Sequence, residues 1–142
     1  MFRIIKLISM LVLLPQLVFF SLPVQADEVE IIKVELRSNN SGKSWTFSVT
    51  LKHNDTGWDH YADAWQVVDS GGKVLGKRVL YHPHENEQPF TRSLPGVTLP
   101  ENAIIYVEAH DKVHGWSKDR VKIDFDFLEG DRYTIGEYTT RY

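Results

Sequence analysis

The sequence predicts an all-β protein, a two-sheet antiparallel sandwich of seven strands. Three observations carry that prediction. Apolar residues alternate with polar ones over short runs, the runs recur at a spacing of roughly 8 to 15 residues, and turn-forming Asn, Gly and Pro clusters separate them with no convincing long helical stretch.

The first predicted strand sets Ile32, Val34 and Leu36 inward against Lys33, Glu35 and Arg37, and ends at Asn39-Asn40-Ser41-Gly42. The second repeats the period with Trp45, Phe47, Val49 and Leu51 inward. In Trp58 to Asp69, Trp65 and Val67 suit a third strand, while Trp58, Tyr61, Ala62 and Trp65 match helical spacing and allow a short helical turn before it. Ser70-Gly71-Gly72 signals a hairpin, with Val74 to Tyr81 as the returning strand. Further strands are predicted at Phe90 to Leu94, Ile104 to Ala109 and Arg120 to Phe127. Residues 128–142 keep some alternation at Tyr133 and Ile135, as an edge strand or a partly ordered tail. The expected core draws on Trp45, Phe47, Trp65, Val67, Tyr106 and Val107, with either Tyr106 or Val107 facing inward.

The N-terminus is of another kind. Arg3 and Lys6 precede an apolar run from Leu7 to Phe20, and Val24-Gln25-Ala26 offers the small residues that a signal peptidase reads. Residues 1–26 are therefore a signal peptide cleaved after Ala26, and 27–142 a single sandwich domain that starts at Asp27. Pro15 and Gln16 interrupt a run already short for a membrane span, so no stable anchor is expected after cleavage. The product is periplasmic or secreted, the periplasm being favoured by an exported chain without cysteine.

Composition narrows the chemistry. Of 16 Lys and Arg, two lie in the signal segment, which leaves 14 basic against 19 acidic side chains, a net of −5. That balance disfavours nucleic acid as a partner. With Cys 0 and both Met, Met1 and Met10, in the signal segment, the mature chain has no sulfur ligand. Disulfides, iron–sulfur clusters and thiol catalysis are excluded, and Cu(I) lacks the ligands it prefers.

Two resemblances follow from particular strings. Phe90-x-x-x-Leu94-x-x-Val97-x-Leu99-Pro100, followed by Tyr106-x-x-Ala109, resembles the E to F strand region of fibronectin type III domains, which implies an immunoglobulin/fibronectin-like fold and nothing more. Gly57-Trp58-x-His60-Tyr61-Ala62-Asp63, His82-Pro83-His84-x-x-Glu87-Gln88-Pro89-Phe90-Thr91-Arg92-Ser93-Leu94 and His110-Asp111-x-Val113-His114-Gly115 resemble a family of small exported bacterial proteins of uncharacterised function. That likeness implies no activity.

The histidines carry the functional expectation. When successive strands are antiparallel, the loops after strands two, four and six emerge at one pole. His53 and His60, His82 and His84, and His110 and His114 fall on those three connections in turn, so all six histidines share a pole with Asp55, Asp59, Asp63, Glu85, Glu87 and Asp111. Imidazole with carboxylate and no thiolate suits Zn(II), Cu(II) or Ni(II). His82-Pro83-His84 puts two imidazoles on one side of an extended segment. The expected ligands are His82, His84, His110 and His114, with His60 as the next addition, although each pair also reads as ordinary loop histidines bonded to backbone or Asp.

The alternative is an interaction module for an envelope protein or glycan, built on the same loops around Trp58, Tyr61, Glu85, Asp111 and Trp116. No enzyme is expected: Gly-x-Ser-x-Gly is missing, no glycine motif cradles phosphate, and paired carboxylates on an acidic domain read as solvated faces.

Overall fold

The computed structural model describes residues 27–39 and 42–136, so the expected signal peptide 1–26, its cleavage point, Asn40 and Ser41 of the expected turn, and residues 137–142 lie outside the described residues. Among the described residues there are eight strands and no helix: β1 (Glu30–Ser38), β2 (Trp45–Lys52), β3 (Ala62–Asp69), β4 (Val74–Val79), β5 (Phe90–Val97), β6 (Ile105–Asp111), β7 (Gly115–Ile123) and β8 (Tyr133–Gly136). They form two four-stranded sheets in the orders β5-β2-β1-β8 and β4-β3-β6-β7.

Alternation builds the first sheet. Val34 pairs with Val49 and Leu36 with Phe47, and Leu51 pairs with Phe90 across to β5, so one face is apolar and fully covered. The opposite face is tied by hydroxyl ladders, Ser48 to Ser93 at 2.8 Å and Thr50 to Thr91 at 2.7 Å. In the second sheet Trp65 lies beside Ala109, Val67 beside Val107, and Val107 beside Val121, all buried. Trp65, a large ring next to a small one-carbon neighbour, is 0 % exposed. Val107 is the inward residue of its pair, while Tyr106 meets the Arg120 guanidinium 4.3 Å away.

The structure refines the sequence expectation at several places. β1 carries a bulge between Ile31 and Lys33, which turns Ile31 into the core and leaves Ile32 36 % exposed. β7 begins at Gly115 and stops at Ile123, because Asp111 closes a tight turn and Asp124 to Phe127 closes another. The edge strand offered for residues 128–142 exists as β8, an eighth strand beyond the seven counted, which pairs in parallel with β1 (Val34 with Tyr133, Leu36 with Ile135). No helical turn precedes β3: Gly57 and His60 close a turn by a bridge, with Gly57 at φ 140°. The apolar spacing of Trp58, Tyr61 and Trp65 reflects that turn and the strand phase, not a helix. β5 runs on through Pro95 to Val97, which an edge strand tolerates because the missing N–H faces no neighbour.

Candidate metal centre

Three connections meet at one end of the sandwich: β2 to β3, β4 to β5 and β6 to β7. Bulges in the β3–β6 and β6–β7 ladders sit at that end, between Ala62 and Ala64 and between Glu108 and His110, where they re-aim the side chains of the strand ends.

Asp55 is the hub of the connection that leaves β2. Its side chain is fully buried; Oδ1 accepts the Ala62 N–H at 3.0 Å and faces His53 Nδ1 at 2.6 Å, and Oδ2 accepts the His84 N–H at 2.7 Å. One carboxylate thus joins two of the three loops. The His53 N–H donates to Gln88 Oε1 at 3.0 Å, a second tie between them. Asp111 closes the third loop on itself, its Oδ1 accepting the N–H groups of Val113 at 2.8 Å and His114 at 2.7 Å.

On this frame three imidazoles run in series. The rings of His53 and His60 are 5.0 Å apart, and those of His60 and His114 5.1 Å. Two groups of three offer ligand atoms within 4.8 Å of one another: Asp27, His53 and His60, and His60, Asp111 and His114. His60 belongs to both. Among the described residues its buried Nε2 makes no hydrogen bond, with Asp111 Oδ1 3.6 Å away. His114 Nδ1 stands 3.2 Å from the same oxygen. Two ligands held 2.0–2.2 Å from one tetrahedral ion are about 3.3 Å apart, so these separations need only tenths of an ångström of adjustment. Behind His53, the Nδ1–H directed at Asp55 is the carboxylate support that fixes a metal-binding imidazole with its other nitrogen outward.

The expected ligand set is therefore divided. His60 and His114 come together with Asp111. His82 and His84 pair with each other, ring centroids 4.5 Å apart, and join neither group. His84 is stacked on Phe90 at 3.9 Å, and its Nε2 accepts from Arg92 Nη2 at 2.9 Å, which commits that lone pair to a guanidinium. Burial first, and then the Arg92 charge, hold His84 below its ordinary pKa. His82 Nδ1 donates to the Pro83 carbonyl at 3.0 Å. His110 donates from Nδ1 to Asp63 at 2.5 Å and packs its ring on Trp116 at 4.8 Å. Sequence reasoning did not select His53, whose Asp55 partner two residues on was the available signal, and it missed Asp27, which nothing in its neighbourhood marks.

The expected interaction residues are also separated. Trp58 is 64 % exposed and lines an open groove of about 450 Å³ with residues His82 to Glu87, Glu85 among them. Tyr61 is buried, edge-on to Trp58 at 6.0 Å, and Asp111 is inaccessible. Trp116 stands apart from that groove, beside His110 and 5.5 Å from the Lys77 ammonium.

No family model matches the chain, and no solved structure matches it. It is similar to a Halomicrobium mukohataei protein that carries the name "Putative lipoprotein", with 39 % identity over 110 residues, 70 % of this chain and 54 % of the relative. The chain spans about half the length of that relative.

Proposed function

We propose that this is an exported β-sandwich that binds a divalent transition metal, Zn(II), Cu(II) or Ni(II), at its histidine pole, and that it carries out no catalysis of its own. The single observation behind this reading is His60, Asp111 and His114 offering three ligand atoms within 4.8 Å of one another from two loops, with a buried His60 nitrogen that makes no hydrogen bond among the described residues. A buried polar atom without a partner is costly, and an ion there would relieve it. The N-terminal segment and the relative's name support export. A lipid thioether is another matter, since the chain has Cys 0. The order β5-β2-β1 against β4-β3-β6-β7 supports the fibronectin-like sandwich that the sequence resemblance implies, with β8 as an addition.

The test compares two histidine variants of untagged protein by thermal shift with Zn(II) and Cu(II). Binding to the native state raises the melting temperature. His60→Ala removes the shared ligand and should abolish the shift; His82→Ala removes an imidazole outside both groups and should leave it. Equal behaviour of the two variants contradicts the assignment. The interaction-module reading rests on the exposed aromatics, Trp58 at 64 % and Tyr81 at 73 %. It gains if wild type shows no metal response.

A further inference from the structure

The second group, Asp27, His53 and His60, lies where the mature chain is expected to begin. Its geometry poses a specific problem. His53 Nδ1 faces the Asp55 carboxylate at 2.6 Å, and its Nε2 faces a second acceptor, the Asp27 carbonyl oxygen at 3.1 Å, with Asp27 Oδ2 at 4.0 Å. With an acceptor at each nitrogen, the Nε2 position is filled by a ring proton donated to the carbonyl or by a metal ion that takes its place. The surroundings favour a cation: Asp27, Glu28, Glu30 and Glu85 line a cleft of about 480 Å³ with His53, opposed by Lys52 alone among the lysines and arginines.

We propose that removal of the signal peptide completes this second metal site, by giving it the α-amino group of Asp27 as a ligand. The proposal rests on the metal reading above and adds to it. A signal peptidase hydrolyses the Ala26–Asp27 bond with one water, leaving a carboxylate on Ala26 and an α-ammonium on Asp27. That ammonium loses its proton to solvent as the metal binds. In the intact precursor the same nitrogen is an amide, whose lone pair is delocalised into the carbonyl and is a poor ligand. Once freed, the nitrogen closes a five-membered chelate with the Asp27 carbonyl oxygen or a six-membered one with its carboxylate. His53 Nε2 stands 3.1 Å from the first and 4.0 Å from the second. His60 supplies the remaining group within reach. A ligand set of amine, imidazole and oxygen favours Cu(II) over Zn(II) by the usual order of divalent affinities. Metal capture is thereby tied to export: the precursor lacks a ligand that the exported protein has.

The test uses untagged protein in two forms, one with Asp27 as its first residue and one that retains Gln25-Ala26 ahead of it. All eight strands lie after Asp27, so both forms carry the complete sandwich. Each is titrated with Cu(II) in competition with a chelator, in the wild-type background and with His114→Ala. The proposal predicts that the extended form binds Cu(II) at least about tenfold more weakly, since losing a direct ligand costs no less than the 10–100-fold typical of losing a supporting group. It also predicts that the difference persists in His114→Ala, because the N-terminal group uses neither Asp111 nor His114. Equal affinity of the two forms overturns this proposal and leaves the His60–Asp111–His114 site standing. No Cu(II) or Zn(II) binding in either form overturns the metal reading itself.

Discussion

Asp55→Asn tests whether the pole is held by one buried carboxylate. The substitution changes one atom and adds no bulk, so its cost reports on charge and hydrogen bonding. Asp55 serves three donors: the Ala62 N–H and His53 Nδ1–H on Oδ1, and the His84 N–H on Oδ2. An amide retains one acceptor. If its oxygen keeps Ala62 and His53, its NH₂ abuts the His84 N–H. That arrangement loses one charge-assisted bond, worth about 1.5–3 kcal/mol, and leaves a buried donor unpaired at about 1–3 kcal/mol. The opposite orientation strands two donors instead of one. The expected loss is therefore about 3–5 kcal/mol, read from urea unfolding as a lower midpoint with unchanged slope. With Asp27 as the first residue, the same variant should bind Cu(II) at the Asp27–His53–His60 group about 10–100-fold more weakly, because the amide is a weaker support for His53 than the carboxylate. A stability loss below about 1 kcal/mol would mean that water or a shifted loop serves these donors, and that the frame is not what positions the histidines.

Three further outcomes follow from the packing. Trp65→Ala should cost about 3–5 kcal/mol, measured by the same unfolding assay. Trp65→Phe should cost less, since it also removes a buried indole N–H that has no acceptor. His84 sets a pH dependence. Burial and Arg92 hold its folded pKa below the ordinary 6.5, so the unfolded chain takes up the proton first. Its stabilising contribution is complete above that value and is lost as pH falls from there toward the folded pKa. Stability of His84→Gln should therefore change less than wild type between neutral pH and about pH 5.5; identical slopes would remove His84 from the account. Arg132 forks onto Asp119 at 2.7 and 2.8 Å and also donates to the Ile31 carbonyl at 2.8 Å. That guanidinium holds the Asp119 carboxyl below its usual range. Arg132→Ala should cost about 1–2 kcal/mol, tempered by the partial exposure of the pair, and should speed amide exchange in β8 while β2 and β3 stay protected.

What the sequence disclosed and what it hid divide along physical lines. Phe47, Val49 and Leu51 alternate without interruption, so their inward face is readable from local pattern alone. Ile32 is not, because a single bulge reverses the phase and nothing in the residue types announces it. β8 is readable only as one of two alternatives, an edge strand or a partly ordered tail, because it is four residues long and stabilised by parallel pairing with β1, a contact about a hundred residues distant in sequence. At the pole, loop parity brings His60 and His114 within reach of each other, since that follows from strand direction. The fate of individual rings depends on neighbours in space. Phe90 and Arg92 engage His84, and Asp63 engages His110, whereas His60 keeps a nitrogen that makes no hydrogen bond among the described residues.

The central claim is that neutral imidazoles at this pole bind a divalent transition metal, and calorimetric titration of untagged protein with Zn(II), near pH 7.5 and again near pH 5, tests it most directly. The account predicts saturable binding at the higher pH. That binding should collapse at the lower one, where protons compete with the metal for the imidazole nitrogens. Absence of binding heat near pH 7.5, with no displacement of a competing chelator, would contradict it.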